Sequence, residues 1–185
     1  MIRPAQLEEA EILTEISFTA KGYWKYPEGY YSIWDGELTI CPDYIGSNDV
    51  WVYEIGLEIL AYYSLVALKE EINVGGIALE RGHWLEHMFV RPTHIGLGIG
   101  SGLFVHLRDR CIEQKINELN ILSDPNARGF YQKMGCSYVQ EFPSTIVDRT
   151  TPHLVPYSRI PVTLFSTPLR GVKTRNLENV LKLET

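Results

Sequence analysis

The chain has 185 residues, 45% of them hydrophobic and 22% charged, an ordinary balance for one globular domain with a real core. A net charge of −6 and a pI of about 5.4 argue against a general nucleic-acid binder and suit a cationic substrate. Cys41, Cys111 and Cys136 form no C-x-x-C pair, no apolar run nears the ~20 residues of a membrane span, and the start is unlike a leader; the expectation is a cytoplasmic protein with no disulfide framework and no membrane contact.

Ala5 to Lys21 reads as a helix: Ile12, Leu13, Ile16 and Ala20 recur on one face, acids load the early turns, and Pro4 suits the first helical position. An aromatic linker, Gly22 to Tyr31, either braces helices or lines a pocket. A second helix runs from Pro27 to about Leu38, ended by Cys41-Pro42-Asp43. Val50–Ile55 and the apolar Ile59–Leu68 read as strands, Lys69–Asn73 as a turn or a longer excursion, and Ile77–Leu79 as a short strand piece. Trp84–Val90 is a strand that feeds the loop Ile95-Gly96-Leu97-Gly98-Ile99-Gly100-Ser101. From Gly98 to about Lys115, Ile99, Leu103, Phe104, Leu107 and Cys111 recur at helical spacing, with His106 on the exposed side. Leu119–Leu122 is a strand. Asp124 then caps a helix that Pro125 opens and Gly135 stops. Ser137–Val139 is a strand, Glu141–Pro156 a proline-bearing loop that holds His153, and Pro161–Phe165 the last strand. The tail from Gly171 places Leu177, Val180 and Leu181 at helical spacing, as a docked or a frayed helix. This order builds a mixed sheet with helices on its faces.

The strand–loop–helix around Gly96, Gly98 and Gly100 is the informative stretch. Without Cβ atoms the backbone can turn N–H groups into a concavity, and the following helix aims its positive end there. That reads as an anion site for a diphosphate; the bland alternative is a turn that only lets strand and helix pack closely. Neither the dinucleotide fingerprint nor the nucleoside-triphosphate loop fits, because Ser101 and Leu103 stand where glycine is needed and no Gly-Lys-Ser/Thr end follows.

The loop does resemble that of the GNAT N-acetyltransferase superfamily, in which a strand ending Val-x-Pro leads into Gln/Arg-x-x-Gly-x-Gly/Ala. Here the pattern falls on Ile95 to Gly100, with Ile95 in place of Gln or Arg, so the backbone cradle remains and the side-chain contact does not. Asn126-Ala127-Arg128-Gly129-Phe130-Tyr131-Gln132-Lys133-Met134-Gly135 resembles the family's later helix, Asn-x-x-x-x-Phe/Leu-Tyr-x-x-x-Gly. Lys21-Gly22-Tyr23-Trp24-Lys25-Tyr26-Pro27 is similar to a bacterial subgroup with a Lys-Ala-x-Trp-Gly-Tyr opening. The resemblance spans residues 1–168 as one domain and leaves 169–185 as a tail.

It implies an α/β (α+β mixed) fold with a central mixed, mostly antiparallel twisted sheet, splayed at the cofactor site and flanked by helices on both faces. It further implies acetyl-CoA held by Ile95, Gly96, Leu97, Gly98, Ile99, Gly100 and Ser101, with Asn126 on the pantetheine arm and Tyr131 near the thioester sulfur. Trp24 and Tyr26 would touch the acceptor. The residues by themselves leave Tyr131 open as a core tyrosine, because Ala127, Phe130, Tyr131 and Met134 form one helical stripe.

Attack of an amine on a thioester expels a thiolate, which a phenol of pKa near ~10 can protonate. An amine of pKa ~10.4 loses roughly 4–5 kcal/mol of availability at neutral pH, at ~1.36 per unit, so a base is expected. Glu86 is the first candidate: strand parity puts Trp84, Glu86, Met88 and Val90 on one face and His87 on the other. A carboxylate paired with a nearby cation is the alternative for Glu86, and Glu54 and His87 are weaker bases. Backbone N–H groups of Met88, Phe89 and Val90 would receive the thioester oxygen. A rival motif, H-x-x-E-H at His83, Glu86 and His87, signals a zinc hydrolase only on a helix; in a strand the histidines stand ~13 Å apart. The expectation is therefore an N-acetyltransferase using acetyl-CoA and no metal, with a small-molecule amine as acceptor. A CoA-binding sensor is the second reading. The sequence leaves the oligomeric state open, a homodimer included.

Overall fold

The structure, a computed structural model, describes residues 1–74, 77–144, 146 and 148–156. The expected strand Pro161–Phe165 and the tail beyond residue 168 lie outside them. Among the described residues the strands are β1 (Ile2–Pro4), β2 (Asp49–Ile55), β3 (Glu58–Leu68), β4 (Ile72–Val74), β5 (Ile77–Leu79), β6 (Gly82–Val90), β7 (Leu119–Leu122), β8 (Cys136–Pro143) and β9 (Thr150–Pro156). The helices are α1 (Ala10–Gly22), α2 (Gly29–Leu38), α3 (Pro42–Ser47), α4 (Ile99–Glu113) and α5 (Arg128–Lys133). The main sheet has the order β1-β2-β3-β6-β7-β9-β8, and β4–β5 is a separate hairpin. Among the described residues only β6 and β7 run parallel; every other neighbouring pair in the sheet is antiparallel. The one parallel pair is the one joined by α4, as a crossover requires.

Strand alternation sends Val50 and Val52 to a core under α1 and α3, and Trp51 and Tyr53 to the core under α4 and α5. Helices thus cover both faces. Tyr62 is fully buried on the α1 side, where its hydroxyl meets Ser17 Oγ at 2.6 Å. That bond offsets a desolvation cost of roughly 1–3 kcal/mol for a buried unpaired hydroxyl. No helix among the described residues is long and apolar enough to cross a membrane.

Several expectations need correction. Pro4 does not open a helix. It ends edge strand β1, paired with Trp51, where its missing N–H does no harm. A 3-10 turn, Leu7–Glu9, intervenes, and α1 starts at Ala10. Pro42 does not merely end α2; it occupies the first turn of α3. Lys69–Asn73 is the longer excursion, leading into β4–β5. The supposed loop Glu141–Pro156 is largely β8 and β9, so His153 is a buried strand residue. The prolines hid those strands. Pro143 and Pro156 close their strands, and Pro152 faces the point where β7 has ended, its carbonyl taking the Ser123 N–H at 2.9 Å. His106 is half-buried rather than exposed, with Nδ1 2.9 Å from Tyr63 Oη.

Candidate active site

Strands β6 and β7 part company early. Their pairing runs from His83–Leu119 to Leu85–Ile121, whereas β6 follows β3 to Val90. Beyond Leu85 the β7 side of β6 has no strand partner among the described residues. The His87 N–H donates to Ser64 Oγ at 3.1 Å and the Arg91 N–H to the Leu60 carbonyl at 2.8 Å, both toward β3. Alternation then turns the N–H groups of Met88 and Val90 to the open side and that of Phe89 to β3.

The glycine loop follows directly. Gly96 (φ +86°) and Gly98 (φ +87°) adopt the left-handed conformation, and Gly98 is the N-cap of α4. A Cβ on either would meet nothing within 4 Å, so these glycines serve backbone direction and face open space. Gly100 serves packing, since its Cβ would touch the Phe130 ring at 3.5 Å and Val90 Cγ2 at 3.7 Å. Both readings of the stretch therefore hold, at different glycines. The first turn closes with the Gly102 N–H on the Gly98 carbonyl at 2.9 Å, so the N–H groups of Gly98, Ile99, Gly100 and Ser101 have no backbone acceptor among the described residues. Ile95 and Leu97 are exposed beside them. Free donors at the positive end of a long helix fit a diphosphate, and an open strand edge fits an extended amide-bearing arm.

The second signature is held by Asp124. It accepts the Asn126 N–H at 3.0 Å, as its cap role predicts, and also gathers Lys21 Nζ (2.9 Å), Tyr26 Oη (2.6 Å) and Arg149 Nη2 (3.1 Å). Burial pushes its carboxyl up, but the Lys21 charge and the hydrogen bonds outweigh this and hold it below its ordinary value. Tyr26 is pushed up to about 12 by burial and by Asp124. Its hydroxyl also takes Asn126 Nδ2 at 2.6 Å and Arg149 Nη2 at 3.1 Å. Tyr131 is 7% exposed, between Phe104 and Phe130. Its hydroxyl makes no hydrogen bond among the described residues. Burial raises its pKa, so it stays a neutral phenol.

Glu86 requires a correction of parity. Ser64 pairs with His87 but Leu65 with Leu85, so Glu86 is the extra residue of a β-bulge. The bulge splits the expected face. Trp84, Glu86, His87 and Phe89 line a cleft on the α1–α2 side, while Met88 and Val90 pack into the core under α4. His87, assigned by parity to the opposite face, lies beside Glu86. Tyr44 Oη joins them: it is 2.5 Å from Glu86 Oε2, 2.7 Å from Ser64 Oγ and 3.0 Å from His87 Nδ1. The Glu37 carbonyl, 2.9 Å from His87 Nε2, can only accept, so the proton sits on Nε2. Burial lowers the His87 pKa and keeps the ring neutral, leaving Nδ1 to accept from Ser64 or Tyr44. Glu86 Oε1 makes no hydrogen bond among the described residues. The alternative pairing of Glu86 with a cation is thus replaced by a tyrosine hydroxyl.

The cleft has a volume of about 230 Å³. Glu37, at the end of α2, reaches into it; burial raises its pKa while Lys21 opposes the shift and Glu86 adds to it. Tyr26 buttresses the wall through Asp124 and Arg149, and Trp24 is exposed, stacked edge-on against Tyr23 at 4.9 Å. Glu54 lies away from the cleft, tied to Arg3 Nε at 2.6 Å. His83, Glu86 and His87 stand in extended β6, not on a helix, and among the described residues no His/Cys/Asp/Glu group has metal-holding geometry. Sequence reasoning gave no role to Tyr44, Glu37 or Arg149. Lys21 and Asp124, which meet in the Lys21–Asp124–Arg149 brace, carried a signal as parts of resembling motifs.

A parallel strand pair pried open beside a donor-rich helix start, facing a carboxylate-bearing cleft, has the shape an acyl-transfer scaffold needs. A family model described as "Acetyltransferase (GNAT) domain" matches residues 47–145, just over half of the chain. The chain belongs to the GNAT acetyltransferase family and is an acetyl-CoA-dependent acyltransferase. Its fold is similar to that of PaiA N-acetyltransferase from Thermoplasma acidophilum in complex with coenzyme A (TM-score 0.65, 15% identity, 84% of this chain and 97% of that one). A GCN5-related N-acetyltransferase from Rhodopseudomonas palustris is comparable (0.63, 14%, 84% and 94%). So is the ribosomal-protein-S18-alanine N-acetyltransferase of Escherichia coli (0.54, 15%, 84% and 90%). No curated protein matches by sequence.

Proposed function

We propose that the protein acetylates a primary amine by direct attack within a ternary complex, with a small cationic amine as acceptor. The observation that carries this reading is the juxtaposition of the open β6 edge with the bulged Glu86. Two N–H groups, of Met88 and Val90, face one side of the opening, and a carboxylate with a free Oε1 stands at the cleft on the other. The cosubstrate supplies an activated acetyl thioester. The loop from Ile95 to Ser101 would hold its diphosphate through N–H groups, and Asn126 would reach its amide arm once released from Tyr26.

The acceptor enters the cleft as an ammonium. Glu86 Oε1, directly or through a water, takes one proton and makes the nitrogen nucleophilic. The N–H groups of Met88 and Val90 stabilise negative charge on the acyl oxygen. Tyr131, kept protonated by burial, gives its proton to the departing sulfur and regains one from the new amide nitrogen. One proton leaves to solvent through Glu86, so the balance closes. PaiA, solved with coenzyme A on the same fold, supports the cofactor assignment.

Titration calorimetry with acetyl-CoA, followed by mass detection of acetylated product over an amine panel, tests the reading. Binding and amine acetylation are expected, with Glu86→Gln lowering turnover ~10²-fold while cofactor affinity holds. Tight binding with no amine ever acetylated would leave a CoA sensor; no heat at all would end both readings.

A further inference from the structure

The charged groups around the cleft do not balance. Lys21 and Arg149 face three carboxylates, Glu37, Glu86 and Asp124. Both cations are already engaged: Asp124 holds Lys21 at 2.9 Å and Arg149 at 3.1 Å, and both charges also draw on Glu37. Each lies over the Trp34 ring, at 4.6 Å for Lys21 and 5.1 Å for Arg149, which further shields it. Asp124 and Glu37 thereby answer the two cations. Glu86 is the carboxylate left over, because its partner, the Tyr44 hydroxyl, is uncharged. Burial holds Tyr44 in that neutral form.

The rest of the wall is neutral: mostly apolar, with Trp34, Leu38, Val66, Trp84, Phe89 and Leu122, and with His87, Ser144 and Thr151 as its uncharged polar members. A largely apolar wall penalises any charge it cannot pair. We infer that the cleft selects a monoamine: one positive charge, placed at Glu86, on an apolar or aromatic body that fills the space between Trp34, Trp84 and Phe89. A diamine would bring a second ammonium with no unmatched carboxylate to meet it. An α-amino acid would bring a carboxylate, and among the described residues the cations lining the cleft, Lys21 and Arg149, are already held by Asp124 and Glu37. A lysine side chain on a peptide carries one charge, but its backbone would have to enter about 230 Å³ of cleft.

This inference rests on the amine-acetylation reading and narrows its substrate. The test is kcat/KM at saturating acetyl-CoA for phenethylamine, an α,ω-diamine of similar length, phenylalanine and a lysine-bearing peptide. Phenethylamine should exceed each of the others by roughly tenfold or more, the usual penalty for burying one unmatched polar group. A preference for the diamine, the amino acid or the peptide overturns the inference while leaving acetylation itself intact. Absence of any product with bound acetyl-CoA instead overturns the underlying reading. Leu68→Asp, at the end of β3, adds a second carboxylate to the wall and should shift the preference toward the diamine; Leu79→Asp on β5 is the alternate variant should the first fold poorly. An unchanged ranking in a folded variant counts against charge matching as the selector.

Discussion

At the scale of single residues, Tyr131 and Glu86 have opposite surroundings. Among the described residues, Tyr131 sits between rings with an unbonded hydroxyl, and Glu86 stands exposed with one oxygen bonded and one free. A tyrosine that was only core filling would lose nothing when its hydroxyl is removed. Tyr131→Phe separates the two roles: thermal stability and acetyl-CoA affinity should stay near those of the parent, while turnover at saturation falls ~10²-fold. Turnover that survives the change would place the proton source elsewhere. The carboxylate tells a related story about geometry. Had β6 been regular, Glu86 and His87 would face opposite sides, and Tyr44 could not meet both.

At the scale of the element, the strand–loop–helix β6–α4 combines two kinds of glycine. Gly98→Ala adds a methyl into open space, so any loss comes from a left-handed φ of +87°. The expected cost is about 1–2 kcal/mol of stability, with acetyl-CoA binding weakened by about tenfold as the N-cap relaxes and its donors turn away. Gly102→Ala is the internal control. It also meets nothing within 4 Å but lies inside α4 with ordinary helical φ, and should stabilise by about 0.5–1 kcal/mol without touching affinity. Denaturant melts and calorimetry on both variants decide the matter. Equal behaviour of the two would remove the argument that Gly98 is present for its conformation.

At the scale of the whole molecule, two buried histidines and one half-buried histidine link stability to pH. Burial lowers the pKa of His87, His106 and His153 below the ordinary value. Above about pH 6.5, where a free histidine is neutral, folded and unfolded chains bind alike and stability is complete. As pH falls below that value, the unfolded chain takes up protons that the folded one refuses, and stability declines until the depressed folded pKa values are passed. Melting temperature should therefore drop between about pH 7 and 5, and His87→Gln should flatten that slope. A melting temperature flat over this range would contradict the assigned neutral, Nε2-protonated ring. Asp124, held below its ordinary value, adds a separate loss below about pH 4 that also loosens the Lys21–Arg149 brace.

The amino-acid order by itself determined what is local. Glycines at 96 and 98 permit the left-handed backbone found there, Asp124 followed by Pro125 starts a helical turn, and the period of Ile99, Leu103, Phe104, Leu107 and Cys111 buries one face of α4. Those signals pointed to the family and to the glycine loop proposed to hold the cofactor. Tertiary structure alone built the cleft proposed for the acceptor. A bulge is set by pairing with another strand, so Glu86 and His87 could share a face only once β3 was in place. Tyr44 reaches them across 42 residues of sequence, and Lys21, Asp124 and Arg149 meet from three distant segments. β8 and β9 stayed hidden because proline is read as a breaker locally, although a sheet tolerates it wherever the neighbouring strand has ended. Local backbone preference acts within a few residues and is written in order; charge balance and strand register depend on what else arrives, and only the folded chain settles them.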